Sequence, residues 1–267
     1  MLSFKLRFAW RSLKRNRLYT LLNLAGLTLG MATAILVSMY LYGQFSYDKH
    51  HANYQQIFRA NSVFTFNNEN DVFGGTGLGL GPKMAEHFSE VETFGRLFPI
   101  GQSVLFSSND TSLALQHVAI ADAKFLEVFA LDFLVKTGDT LLNSPRTLLI
   151  SESFARNFFG HTNVLNQTIA TLNYTYTITG VFKDLPQNTH HYFEALIAVP
   201  PQNLTAAQLS RSLWNVQGYT FFKLKNGAES AEEIESNFDS FYQKYMAQLG
   251  DTISGKYTIC LERIDKL

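Results

Sequence analysis

The sequence predicts an α+β protein: one N-terminal transmembrane helix followed by a mixed, mainly antiparallel extracytoplasmic domain. That domain has room for two lobes, one of them built from the Gly-rich and 91–121 segments. Three observations carry this reading. A 25-residue run from Leu18 to Tyr42 holds no charge, and the charges on its two sides are unequal. Beyond it, short stretches of period 2 are interspersed with helical ones, without the regular β-α alternation of a doubly wound sheet.

The uncharged run LYTLLNLAGLTLGMATAILVSMYLY defines a transmembrane helix over 18–42. As a helix it is about 37 Å long, enough to cross a hydrocarbon core of about 30 Å with some tilt. Its ten Leu, Ile and Val residues favour insertion. The rival reading is a cleaved signal peptide with Ala32-Thr33-Ala34 as the cleavage site. It fits less well, because the apolar run continues through Ile35, Leu36, Val37, Met39, Tyr40 and Leu41.

Across the whole chain 22 Lys and Arg balance 22 Asp and Glu. The balance hides a division. Residues 1–47 carry six basic side chains and no acid, so by subtraction residues 48–267 carry a net charge of −6. By the positive-inside rule, Arg11, Lys14, Arg15 and Arg17 keep the N-terminus in the cytoplasm and send the acidic region outside. Residues 1–17 form a cytoplasmic segment with amphipathic spacing. Leu2, Leu6, Ala9, Trp10 and Leu13 share one helical face, with Arg7, Arg11, Lys14 and Arg15 opposite. Either this is a helix lying on membrane lipid, or it is a basic leader that only sets topology. Within the span Gly26, Gly30 and Ala34 form a stripe of small residues suited to close packing against another membrane helix.

After the span, a short helix near Tyr54–Phe58 leads into a strand. GGTGLGLGP (74–82) reads as a flexible loop ending with Pro82 in the first turn of a helix, PKMAEHF. It matches neither GxGxxG nor the P-loop pattern. Residues 91–121 alternate as antiparallel strands. There follow a helix at 124–129, a helical turn near 139–142, and a strand at 146–151. The next helix, 151–160, has Ser151 or Ser153 as its cap and Gly160 as its stop. QTIATL and YTYTITGVF form a hairpin about Asn173-Tyr174. YFEALIAVP and YTFFKLK are strands, 230–249 is a helix, and 256–264 is a final strand.

The composition excludes several chemistries. With 46% hydrophobic residues and 23 Phe the chain has material for a core. Cys260, the single cysteine, permits no intramolecular disulfide or Cys-rich metal site and has no nearby His in the sequence. The pairs His50-His51 and His190-His191 lack the i+4 spacing of HExxH, and adjacent rings on a strand or helix diverge. They read as solvated or capping groups, so no metal and no cofactor are expected. Asp184, Glu152 and Glu194 are available carboxylates whose default roles are turns and solvation. The aromatics lie at core spacing without a basic patch, which argues against nucleic acid.

Particular segments carry a family resemblance. LRFAWRSLKRNRLYTLLNLAGLTLGMATAILVSMYLYGQFSYDKHHANYQQIFR resembles the start of MacB/FtsX-like ABC-transporter permeases. FLEVFALDFLVKTGD and LLISESFARNFFGHTNVLNQTI are similar to later family segments, as is YTITGVFKDLPQNTHHYFEA with its GV-x-x-D-x-P element. Asn166 stands where the family commonly has Gly, and Asn163-Val164 replaces Asp-Pro. The resemblance implies that 48–267 is a MacB-like periplasmic core domain of a bacterial inner-membrane protein. It implies a second permease protomer, a cytoplasmic ABC ATPase subunit, and a periplasmic adaptor or envelope protein as partners. It also implies three further membrane helices after a segment like LERIDKL, so the chain is expected to be a piece of a longer permease. The function implied is mechanical coupling without catalysis. Two alternatives stand beside it: a single-span anchored sensor with a ligand-binding outer domain, and an anchored hydrolase, which the motifs disfavour.

Overall fold

The computed structural model describes residues 10–11, 14–66, 69–108, 111–138, 141–199, 206–253 and 256–267. Most of the expected amphipathic face, including Leu2, Leu6, Arg7, Ala9 and Leu13, lies outside these residues, as do positions 139–140 of the expected helical turn. The chain divides into two compact units, Met1–Ser46 and Tyr47–Leu267.

The first unit contains helix α1 (Arg17–Phe45), 29 residues with none buried and a mean hydropathy of 1.8 over its most apolar window. It is long and apolar enough to cross a membrane. The hydroxyls of Thr28 and Thr33 donate back to the Leu24 and Leu29 carbonyls at 2.7 and 2.9 Å, so each finds a partner within the helix.

The second unit is a long sheet clothed by short helices. Its elements are β1 (Ile57–Phe66), β2 (Glu69–Phe73), β3 (Thr76–Gly77), α2 (Leu80–His87), β4 (Val91–Pro99), β5 (Val104–Ser108), β6 (Thr111–Leu115) and β7 (Val118–Ala121). Then come α3 (Phe125–Val128), β8 (Phe133–Lys136), β9 (Thr147–Ser151), α4 (Glu152–Phe159), β10 (Thr168–Ala170), β11 (Thr175–Phe182) and β12 (Ala195–Ala198). The last are α5 (Ala206–Trp214), β13 (Val216–Leu224), α6 (Ala228–Ser236), α7 (Phe238–Tyr245), α8 (Ala247–Ile253) and β14 (Lys256–Arg263). The strand order is β14-β1-β13-β4-β7-β12-β9-β11-β10-β5-β6, with β2 on β1, β3 on β13 and β8 on β11. Only β9–β11 and β7–β12 run parallel among the described pairs, so the sheet is mixed and mainly antiparallel as expected. In β14 the burial alternates along KYTICL, the mark of a strand with one face on the core. First and last strands are neighbours, and Phe58 at the start of β1 faces Arg263 at the end of β14.

Apolar packing is distributed along the sheet. Phe58, Leu80, Met84, Phe222, Phe238 and Phe241 fill one cluster. Leu97, Phe125, Phe129, Phe193 and Phe221 fill the centre. Phe106, Phe154, Ile169 and Ile178 fill the far half. The Gly-rich 74–82 segment and residues 91–121, expected to form one lobe, are split by the strand order. β3 and β4 both pair with β13, whereas the β5–β6 hairpin continues from β10 at the other end.

Local signals explain much of this. Ser151 caps α4 by accepting from the Phe154 N–H at 3.1 Å, and Gly160 ends the helix at φ +79°. Asn166 adopts φ +63°, the left-handed conformation that Asn tolerates and Gly favours, so the turn survives the replacement. The loop around 74–82 is more ordered than its glycines suggest. Thr76 is buried and hydrogen-bonded to Thr220 at 2.6 Å, and a Cβ on Gly77 would lie 2.0 Å from the Ser212 carbonyl oxygen. The helix expected at 230–249 is broken into α6, α7 and α8. At the first break the Asn237 side chain donates to the Glu233 carbonyl at 2.9 Å, while Ser240 donates to the Asn237 carbonyl at 2.8 Å. Such local bonds compete with a continuous helix. The short strand β8 and the helix α5 had no counterpart in the sequence reading.

Candidate functional site

Tyr47 to His51 follow α1 directly and lie in a turn, not a helix or strand. Asp48 occupies φ +53° there. Its backbone N–H donates to the Asn188 carbonyl at 3.0 Å, and its carbonyl accepts from the His51 N–H at 3.3 Å. The side chain is turned inward and the residue is only 3% exposed. A buried carboxylate is costly unless hydrogen-bonded. Here it accepts from the Thr189 hydroxyl at 2.6 Å, from His190 Nδ1 at 2.6 Å, and from the His190 backbone N–H at 3.3 Å. The beginning of the outer unit is thus fastened to residues 188–190, far along the chain, by the backbone N–H and the carboxylate of one residue.

The 188–190 loop connects β11 to β12 and is fixed on both sides. Upstream, Asp184 accepts from the Ser153 backbone N–H at 2.9 Å and from its hydroxyl at 2.5 Å at the start of α4. Downstream, the Glu194 N–H donates to the His117 carbonyl and the Glu194 carbonyl accepts from the Ser151 N–H, both at 2.8 Å. Glu152 pairs with Arg156 one helical turn on, at 2.8 Å. These positions suit capping and bracing. The Tyr47 ring packs at a tilt against that of His190, with ring centroids 4.7 Å apart.

Both histidine pairs converge on Asp48. His50 and His51 lie with ring centroids 4.0 Å apart, and one ligand atom each from Asp48, His50 and His51 lie within 4.8 Å of one another. The expected divergence of adjacent rings holds for regular elements, and the turn at Asp48 removes its basis. His51 packs edge-on against Phe129, and His191 against Tyr219 and Phe221. Burial pushes the imidazole pKa down to about 4 for His51, helped by His50 and opposed by Asp48. Burial likewise lowers His191 to about 4, with the nearby Arg59 charge adding to the effect. His50 is lowered in the same way, against the pull of Asp48. Asp48, His51, Thr189 and His191 line a cavity of about 10 Å³, closed by Phe125, Phe129, Leu185 and Phe193. A larger groove of about 300 Å³ runs past Arg59, His117, His190, Tyr192 and Tyr219.

The other sequence-selected residues lie elsewhere. Gly26, Gly30 and Ala34 are exposed on α1, with open space at both glycines. Arg11, Lys14, Arg15 and Arg17 are exposed, and Lys14 sits 5.8 Å from the Trp10 ring centroid. Cys260 is on β14, where burial and the carboxylates of Glu235 and Glu262 push its thiol pKa up, the opposite of an activated nucleophile. Sequence reasoning missed Asp48 and Thr189 as partners. The available signal was the pairing of a short polar residue with consecutive histidines in both YDKHH and NTHH.

Comparison with known proteins agrees with this architecture. The family model for the MacB-like periplasmic core domain matches residues 20–238. No curated protein sequence matches the chain. Among solved structures, a domain of a permease protein from Porphyromonas gingivalis is similar with a TM-score of 0.70 at 21% identity, covering 81% of this chain and 93% of that one. The extracellular domain of the ABC-type transporter YknZ from Gram-positive bacteria gives a TM-score of 0.48 at 13% identity, covering 76% and 98%. The periplasmic region of MacB from Actinobacillus actinomycetemcomitans gives 0.46 at 12%, covering 74% and 87%. A family match over most of the chain and a fold shared with the first of these structures lead to one conclusion: the chain belongs to the MacB-like periplasmic core domain family.

Proposed function

We propose that this chain is the anchor and outer domain of an ABC-transporter permease, which couples the motion of a separate ATPase to the handling of a substrate outside the membrane. One observation carries the reading. The family match begins at residue 20, inside α1, so the apolar helix and the outer domain form one family unit. That favours a retained anchor over a removed leader. In this reading α1 crosses the bacterial cytoplasmic membrane with Arg11, Lys14, Arg15 and Arg17 inside, and residues 48–267 lie outside. Gly26, Gly30 and Ala34 supply a packing face for another membrane helix, including that of a second protomer. The permease meets a cytoplasmic ATPase within the cell and an adaptor or envelope protein outside. The chain does no chemistry itself. It transmits displacement, and the Asp48 staple, three residues beyond α1, is where a pull on the helix enters the outer sheet.

The orientation is tested by protease protection. Protease added to spheroplasts is expected to digest the 48–267 region and spare an N-terminal tag; digestion of that region only in inside-out vesicles overturns the topology. Co-purification of a Walker-motif ATPase with the permease from native membranes tests the coupling. Recovery of the permease alone, with no such ATPase at comparable amounts, counts against a transporter and for an anchored sensor.

A further inference from the structure

We propose that Asp48, His50 and His51 form a binding site for a single divalent transition ion of the zinc type. The donor set is one carboxylate oxygen and two imidazole nitrogens, grouped within 4.8 Å. Two nitrogens and one oxygen suit zinc and its neighbours, whereas calcium and magnesium take oxygen ligands. Three protein ligands leave a tetrahedral ion one further position for water.

The surroundings suit a ligand site better than a chance cluster. Asp48 is buried and held by Thr189 and His190, so its carboxylate is oriented before any ion arrives. A carboxylate offers about four lone-pair directions. The Thr189 hydroxyl takes one on one oxygen and the His190 ring takes one on the other, while the His190 backbone N–H is shared loosely between the two oxygens at 3.3 and 3.4 Å, the contact an incoming ion would displace. Among the described residues neither His50 nor His51 has a side-chain hydrogen-bond partner, so their nitrogens are available. His50 is exposed and Asp48 is buried, which gives the ion both an entrance and an inner anchor. Asp48 and His51 also line the cavity of about 10 Å³, close to the space of one water-sized sphere. His191 lines that cavity too, with its buried Nε2 lacking a hydrogen-bond partner among the described residues. It is a polar atom available to hydrogen-bond a water on the ion.

The test uses the untagged full chain in detergent, stripped with a chelator and titrated with Co²⁺ alone, then with Zn²⁺ in competition. The expected result is visible d–d absorption without sulfur charge-transfer bands, saturating at one ion per chain and abolished by Zn²⁺. His190→Ala, which acts through Asp48, should weaken binding about 10–100-fold, the usual effect of losing an outer partner. His50→Ala and His51→Ala should each weaken it further, and Cys260→Ser should leave it unchanged. The exposed His50 ring makes His50→Ala a variant that spares the core, so folding does not confound it. Absence of the bands in the wild-type chain, or bands that persist undiminished in His50→Ala, overturns the site. So would their loss in Cys260→Ser.

Discussion

Replacing His190 with Ala removes one donor from the buried Asp48 carboxylate and leaves the Thr189 hydroxyl and the His190 backbone N–H in place. An acceptor left short of a partner costs about 1–3 kcal/mol, and an uncompensated buried ion about 3–5. The His190 side chain is 28% exposed while that of Asp48 is 4% exposed, so water partly replaces the lost ring. The expected cost is therefore about 2 kcal/mol, within the range for one lost charge-assisted bond. For a domain of about 150–250 residues this lowers the melting temperature by about 4–8 °C. Near-UV circular dichroism of the full chain in detergent follows the melt through its packed aromatics. Thr189→Val weakens the same carboxylate, so the double variant should depart from additivity by about 0.5 kcal/mol or more. A melting temperature for His190→Ala within about 1 °C of wild type would refute the reasoning, because it would mean that the ring contributes nothing to holding Asp48.

Three further outcomes are expected. His191 is neutral when folded and has a depressed pKa, so its contribution is complete above its ordinary value of 6.5 and is lost as pH falls toward about 4. By proton linkage the wild type loses about 2 kcal/mol from this group at about pH 5, and His191→Phe should flatten that limb of urea stability against pH; parallel curves would exclude His191 as its source. Gly227 sits at φ +57°, ψ −120°, with a built Cβ 3.0 Å from the Gln55 carbonyl oxygen. Gly227→Ala should lower stability by about 1–3 kcal/mol in urea titration, and an unchanged midpoint would show that the backbone relaxes there at no cost. Gly26→Leu with Gly30→Leu should reduce cross-linking between membrane helices without changing the outer domain's melt; full cross-linking would remove the small-residue face from consideration.

Signals written into neighbouring residues were legible. Ser151 and Gly160 delimit α4 because a cap and a left-handed stop are decided within one helical turn. The β10–β11 hairpin is legible for the same reason, with the Thr171 N–H bonded to the Tyr174 carbonyl across its turn at 2.7 Å. The Asp48 site was not. Its partners are 141 and 142 positions away, and what makes them partners is burial, which no local pattern encodes. Expecting His50 and His51 to diverge assumed a regular element, and one residue at positive φ reversed that geometry. The break at Asn237 was visible as a polar residue within a helical pattern, but its effect depends on whether the side chain turns back onto the main chain.

The pairing of the first strand with the last has a mechanical corollary. Because Phe58 faces Arg263, the chain enters and leaves the sheet at one corner, where Arg263 also lies 5.9 Å from the Tyr54 ring centroid. Strands tethered at the same end resist opposing loads poorly, since the hydrogen bonds break in succession as in a zipper. Opposing pulls on the two ends at this corner would begin to peel β14 from β1, whereas a pull shared by both strands would leave their ladder intact.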